Sequence, residues 1–452
     1  MVENQHTSYK LKEYEGDVDI FVPVGHEQKY LNDHGVELRR MDNGAVLAGA
    51  TRIVSDRAHA QMIGYFPTGA FYEPVGKRGI NHLVEHLISN NPDKAARRYE
   101  ARYDAQTGHS DFTITLKGAA NPAVSDYGIW PIIPVIFEQI ATPLVISPNA
   151  LESEKNVIAG EIVQRNVNHD FVAGEFYRNV LFHAENPINC DPIGKEDDLF
   201  TITPEEVQRQ HAVIFTPQDM EVTVFSEGKT LITRSCMDIL NKKLHSIKNA
   251  QAPVKVDEQL CERIHPDFQQ GGYYEHATGV PQGKMTVRYI WLFPSTPFTA
   301  ASYATGRFMD IAAHKAFAFY RENGLGYSCD KIDQWVGSSK RLLGFKMVMR
   351  VRENKEEFVR NLYPHLNSAV FGSFGREDAE HVTEMATRRL SALPVATESR
   401  FQNIMYGLRR YGRMIDADKL NEIDKIVTAR HLEQVQHQLI ASEPAMIVVS
   451  DS

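Results

Sequence analysis

Gly79-Ile80-Asn81-His82-Leu83-Val84-Glu85-His86 sets two imidazoles and a carboxylate in the order His-x-x-Glu-His. On a helix, with about 100° between successive residues, His82 and His86 stand roughly 40° apart and Glu85 about 60° to the other side of His82. All three project into one sector, where one metal ion can meet both imidazoles. The commoner zinc helix reads His-Glu-x-x-His; here the carboxylate precedes the second imidazole instead of following the first. Structural zinc closes four positions with protein ligands, whereas catalytic zinc takes three and leaves the fourth for water. The motif therefore requires one more carboxylate or imidazole.

Glu161 stands 75 residues beyond His86 (161 − 86), in a segment, 151–163, that reads as helix opened by Ser147-Pro148. Glu154 lies seven residues earlier on the same face (161 − 154). This combination resembles the inverzincin peptidases of the pitrilysin/insulinase type, which include the mitochondrial processing peptidase. Their pattern is His-x-x-Glu-His, then roughly 75 residues, then a ligand Glu with a second Glu two turns before it. The resemblance implies that His82, His86 and Glu161 bind one zinc ion (Zn2+), that Glu85 is the general base, and that Glu154 orients a ligand through an outer hydrogen bond. Manganese and cobalt satisfy the same ligand logic.

The resemblance extends along nearly the whole chain. Thr68-Gly69-Ala70-Phe71-Tyr72-Glu73 followed by Gly79 is similar to the family's Gly-x-x-x-Glu lead-in. Asp104-Ala105-Gln106-Thr107 sits where the family has Asn-Ala-x-Thr, an edge strand that pairs with extended substrate through unpaired backbone groups. Asp104 replaces an amide that donates and accepts by a carboxylate that, ionised, only accepts. Asn186-Pro187, Pro192-Ile193-Gly194 and Thr203-Pro204-Glu205-Glu206 match the close of the family's first domain; the last four residues also spell a capping box with Pro at the first helical position. Phe319-Tyr320-Arg321-Glu322-Asn323-Gly324-Leu325-Gly326-Tyr327-Ser328 resembles Arg-Glu-x-x-Gly-Leu-x-Tyr-Ser, one residue shorter between Arg321 and Tyr327. In the family that motif supplies an Arg and a Tyr to the substrate carbonyl, worth roughly 3 kcal/mol when a donor meets a developing oxyanion.

At 452 residues the chain exceeds one ordinary core, so two to three domains are expected. The net charge of −9 and the absence of a dense Lys/Arg run argue against a nucleic-acid partner. The four cysteines, Cys190, Cys236, Cys261 and Cys329, are scattered with no Cys-x-x-Cys pair, which fits a reducing compartment. Met1-Val-Glu-Asn-Gln-His-Thr-Ser-Tyr-Lys lacks the apolar core of a secretory signal and the Arg-rich, acid-poor character of an organellar one. The most apolar stretch, 127–146, is broken by Pro131, Pro134, Glu138 and Pro143, so it reads as a buried helix with Phe137 and Ile140 on its inner face and not as a membrane span. A cytoplasmic protein without a membrane partner is expected.

Two halves of similar size emerge. The first opens with strands at 36–40 and 45–50 about an Asp42-Asn43-Gly44 turn. Phe112, Ile114 and Leu116 alternate with polar neighbours as a half-buried strand does. Helices follow near 128–141 and 149–168, then a strand at 220–225. The second half begins with a strand at 284–293, followed by a helix near 299–321, strands near 327–336 and 341–351, helices near 354–372 and 376–391, and a last strand at 445–449. This order implies an α+β fold of two domains, each with helices packed over a largely antiparallel sheet: an N-terminal zinc-binding domain (1–230), a polar linker with some local helix (231–275) and a C-terminal substrate-contacting domain (276–452). The resemblance implies that the two domains are homologous, that such a chain is half of a two-part chamber, and that it works as a homodimer or with a related subunit lacking the zinc motif. It further implies a zinc metalloendopeptidase acting on oligopeptides or unfolded leader segments. A non-catalytic scaffold is the rival class, against which the intact His82, Glu85, His86 and Glu161 speak. Gly-x-Ser-x-Gly is absent, and Gly69 to Gly76-Lys77-Arg78 has the wrong spacing for a phosphate loop.

Overall fold

The computed structural model describes residues 20–52, 59–119, 129, 131–189, 191–227, 231–245, 247, 258–279, 282–295, 300–336, 339–372, 378, 397–416, 418–419 and 429–451. Helix α1 (Glu27–Asp33) leads into a hairpin of β1 (Val36–Arg40) and β2 (Val46–Arg52). Gly44 takes the turn at φ 93°, a left-handed conformation that suits glycine. Then come β3 (His59–Phe66), α2 (Ile80–Arg98), β4 (Arg102–Thr107), β5 (Phe112–Ala119), α3 (Ile132–Ala141), α4 (Pro148–Asn166), α5 (His169–Leu181), α6 (Glu196–Leu199), α7 (Pro204–Ile214) and β6 (Glu221–Glu227). The second half holds α8 (Leu231–His245), α9 (Glu258–Cys261), β7 (Tyr273–Ala277), β8 (Lys284–Pro294), α10 (Ala300–Glu322), β9 (Gly326–Val336), β10 (Lys340–Arg350), α11 (Lys355–Asn367), two further helices, Thr397–Tyr411 and Ala429–Ile440, and β11 (Ala445–Ser450).

The strands form two sheets, ordered β1-β2-β6-β3-β5-β4 and β7-β11-β8-β10-β9. Edge strand β1 aside, both follow one pattern: the first strand of the half pairs in parallel with its last, and every other pairing is antiparallel. The expected α+β architecture of two domains with helices over largely antiparallel sheets is what the chain adopts. Helices α2, α3, α4, α7 and α8 bury Leu83, Val84, Ile133, Ile136, Ile158 and Val207 against one face of the first sheet. Helix α10 covers the corresponding face of the second sheet, where Phe308, Ala312 and Tyr320 meet Tyr289, Trp291 and Phe345. Phe137 and Ile140 face inward on α3 as expected.

The opposite face of each sheet is covered by a helix from the other half. On the second sheet, Leu181 and Phe182 at the end of α5, with Phe176 and Val180, pack on Ile290, Leu342, Ala445 and Ile447. On the first sheet, Phe401, Ile404 and Met405 of the Thr397–Tyr411 helix pack on Ala48, Ala50 and Phe225. A strand buried on both faces reads as an unbroken apolar run, which is how Tyr289 to Leu292 of β8 and Ala445 to Val449 of β11 read.

These contacts correct the expected boundaries. The supposed linker, 231–275, contains α8, whose Met237, Leu240 and Leu244 lie in the first core, and β7, which belongs to the second sheet. Neither 1–230 nor 276–452 is self-contained, because each receives a helix from the other. The helix expected near 376–391, apart from Asp378, and the first ten residues lie outside the described residues.

Candidate metal centre

Helix α2 starts where backbone geometry leaves little choice. Gly79 sits at φ 94°, and a Cβ there would lie 2.7 Å from the carbonyl oxygen of Ile193. The buried Glu73 accepts hydrogen bonds from the Gly79 and Asn81 N–H groups, at 2.9 and 3.0 Å, satisfying donors that a helix start leaves unpaired. Burial pushes the Glu73 carboxyl up to about 8, outweighing the pull of those two donors. Ile80, Leu83, Val84 and Ile88 then recur at helical spacing and face the core. This leaves His82, Glu85 and His86 at the margin of the packed face. Helix α4 is opened by the Ser147 hydroxyl, which accepts from Ala150 N at 3.2 Å, and is anchored by Leu151, Ile158 and Ile162. It lies beside α2 and brings Glu154 and Glu161 to the two imidazoles.

His82 Nε2 lies 3.1 Å from Glu161 Oε2, and His86 Nε2 lies 3.7 Å from Glu161 Oε1. Donor atoms of these three residues lie within 4.8 Å of one another. Donors bound tetrahedrally at zinc distances stand about 3.3 Å apart, so the observed separations fit one ion. The other imidazole nitrogens are also engaged. His86 Nδ1 is 3.1 Å from Glu154 Oε2, which holds a proton on Nδ1 and leaves the Nε2 lone pair facing Glu161. His82 Nδ1 is 3.3 Å from Glu85 Oε2. Burial pulls the His82 imidazole down, but bonds and charges from Glu85 and Glu161 outweigh it, so His82 holds a proton above its ordinary range.

Glu85 is fixed by β4. The N–H and the hydroxyl of Thr107 both donate to Glu85 Oε2, each at 2.7 Å. At this end of the expected peptide-pairing strand the Thr107 N–H is bonded within the chain and its side chain is buried. Among the described residues, strand β4 is an edge of the first sheet, paired only with β5. Asp104 and Gln106 are exposed, while Tyr103 and Ala105 are half-buried on the alternate face.

The motif at 319–328 forms a helix end. Gly324 is left-handed at φ 59°, Leu325 N–H bonds Tyr320 O at 3.1 Å, and Gly324 N–H bonds Arg321 O at 3.1 Å, the pattern of a Schellman cap. Arg321 is exposed, with its guanidinium 5.8 Å from the Phe317 ring centre. Among the described residues no hydrogen bond or ion pair joins Arg321 to His82, His86 or Glu161. Tyr327 is the extra residue of a β-bulge between the pairs Gly326↔Met349 and Ser328↔Val348. Such a bulge re-aims the strand at that point.

No protein-family model matches the chain. No curated protein matches it by sequence either. Solved structures do. A protease from Helicobacter pylori superposes with a TM-score of 0.71 at 14% identity, covering 92% of this chain and 99% of that one. The inactive domain of a peptidase M16 from Pseudomonas fluorescens gives 0.70 at 10%, covering 92% and 98%. The fold is that of M16-type peptidases. The periplasmic protease PqqL from Escherichia coli gives 0.71 at 12% identity, and there 92% of this chain covers 48% of the other. Among the described residues no helix is long and apolar enough to cross a membrane.

Proposed function

We propose that the chain is a zinc-dependent endopeptidase that hydrolyses extended oligopeptides or unfolded leader segments. The observation that carries this reading is the convergence of the two imidazole Nε2 atoms on the Glu161 carboxylate, with Glu85 held alongside. His82, His86 and Glu161 would hold the zinc. When bound, zinc polarises a scissile carbonyl and makes water acidic enough to attack near neutral pH.

The chain's own groups supply the rest. Thr107 and His82 occupy Glu85 Oε2. Oε1 is thereby the oxygen that takes the proton of the attacking water and returns it to the leaving amine. Glu154 keeps His86 in the orientation that presents Nε2. The open edge of β4 about Asp104, Ala105 and Gln106 would receive substrate backbone by strand addition. Tyr327, with Arg321, is proposed as the oxyanion donor from the second half.

The non-catalytic alternative takes support from the fold's occurrence in an inactive domain. In this chain, however, the four residues of the motif are present and assembled. Coverage of about half of PqqL, at 48%, supports a working form of two such halves, either two copies or this chain with a related subunit.

The test is metal content by mass spectrometry together with cleavage of a quenched fluorescent peptide library, on the purified chain with and without chelator. One zinc per chain with chelator-sensitive cleavage is expected. Zinc without cleavage would assign activity to a complex with a second subunit, and absence of both would overturn the reading.

A further inference from the structure

Asn81 is a polar residue in a core position. It shares a helical face with Val84 and Ile88, and all three are fully buried. Its carboxamide is nonetheless bonded on both sides. Nδ2 donates to Gly69 O at 2.7 Å and, at 3.4 Å, to Thr68 O. Oδ1 accepts from Gln210 Nε2 of α7 at 2.7 Å, and Gln210 is itself only 5% exposed. The Gly69 backbone is tightly packed: a Cβ there would lie 2.4 Å from Asp111 N and 2.5 Å from Gly108 O, and the next N–H, of Ala70, bonds Gly108 O at 3.0 Å. That tight packing joins the Gly69 loop to the turn that begins one residue after Thr107.

The carboxamide thus connects three segments at the residue that precedes His82: the first turn of α2, helix α7, and the loop packed on the turn after β4. The same turn fixes the strand end whose Thr107 holds Glu85. An apolar side chain would fill the space with no desolvation cost, so stability alone does not require a bonded amide pair here.

We propose that Asn81 and Gln210 are positioning residues for the metal centre. The pair sets the azimuth of the first turn of α2, so that His82 Nε2 and Glu85 keep register with Glu161 and Thr107. This inference rests on the zinc reading above.

The test separates positioning from packing. Asn81→Leu, Gln210→Met and the double variant are compared with wild type in thermal midpoint, in zinc affinity by competition with a chromogenic chelator, and in the visible absorption of the cobalt-substituted chain. Removing one partner strands a buried amide, whereas replacing both by apolar groups of similar shape is close to neutral for folding. The double variant still takes the Asn81 donor from the Gly69 and Thr68 carbonyls but strands no amide, so it is expected to recover most of the midpoint that Asn81→Leu loses. It is also expected to bind zinc about tenfold more weakly and to show an altered cobalt spectrum. Gln210→Met touches no metal ligand and is expected to shift the spectrum in the same direction if Asn81→Leu does not fold. A double variant with wild-type affinity and spectrum would overturn the positioning role and leave the pair as packing. A wild-type chain that takes up neither zinc nor cobalt would overturn the zinc reading and this inference with it.

Discussion

Glu85 shows how one side chain is divided between structure and chemistry. Its Oε2 accepts two bonds from Thr107 and faces His82 Nδ1, which leaves Oε1 for a moving proton. Glu85→Gln keeps the shape and one carbonyl oxygen for Thr107 but removes the base, so metal content is expected to stay at wild type while turnover falls about 10²–10⁴-fold. His82→Ala is expected to lose both. Metal analysis beside peptide cleavage decides it, and equal metal loss in the two variants would count against the role given to Glu85. Thr107→Val removes the hydroxyl bond while keeping the N–H bond. About tenfold lower turnover with zinc retained is expected, the scale of one hydrogen bond to a charged group, and unchanged kinetics would show that the N–H alone holds Glu85. The convergence of His82, His86 and Glu161 was legible in the sequence because His82 and His86 are neighbours on one helix turn, and because the family resemblance pointed to Glu161. The Thr107 contact was not, since it depends on where β4 ends relative to α2, which no local pattern records. Asn81 left a fainter signal: an amide where the 81-84-88 spacing calls for an apolar residue.

Elements were legible wherever their signals are local. The Asp42-Asn43-Gly44 turn gave β1 and β2, the Thr203 capping box forms with Glu206 as read, and Phe112, Ile114 and Leu116 are buried in alternation along β5. The burial of helix α8 was not legible, because Met237, Leu240 and Leu244, although at helical spacing, are embedded among Lys, Asn and Asp. Polar composition suggested a linker while three residues on one face were enough to bury the helix. The start of α2 is a sharper case. Glycine at position 79 resembles a family lead-in by sequence, and the structure gives a local reason for it: a left-handed φ combined with the Ile193 carbonyl at 2.7 Å from a would-be Cβ. Gly79→Ala is expected to cost about 2 kcal/mol or more, the left-handed penalty of about 1–2 kcal/mol plus displacement of that carbonyl. It should also weaken zinc binding, because the first turn carries His82. Urea unfolding of the metal-free chain and chelator competition measure the two effects separately. A stability loss with undiminished zinc affinity would show that the turn re-forms around the metal.

At the scale of the whole molecule, two sheets of one topology exchange their outer helices. Apolar periodicity shows that α5 and the Thr397–Tyr411 helix bury a face, but it carries no information about which sheet they cover, so contiguous domains were the reading and reciprocal ones the result. The exchange also carries polar anchors. His169, at the start of α5, places Nδ1 3.1 Å from Asp451 and Nε2 3.0 Å from Thr286 of the second sheet. In return Arg409, from the Thr397–Tyr411 helix, bonds Glu221 of β6 at 2.6 Å and stacks 4.8 Å from the centre of the Tyr65 ring. Burial pushes the Glu221 carboxyl up to about 7 from an ordinary 4.5, against the lowering pull of Arg409. Between those values the folded chain holds a proton that the unfolded chain has released. The stability contributed by this group is therefore full below pH 4.5 and drains as pH rises through 7. Removing the arginine should expose that dependence. In Arg409→Leu at pH 5 the Glu221 carboxyl is neutral and only packing and one hydrogen bond are lost, whereas at pH 8 a buried carboxylate is left without its cation, at a cost of about 3 kcal/mol. Urea unfolding at the two pH values is expected to show a small loss at the lower and a large one at the higher, and adding Glu221→Gln should flatten the difference. An equal loss at both would assign the contact to the stacking on Tyr65, and the two halves would then be joined there by packing alone.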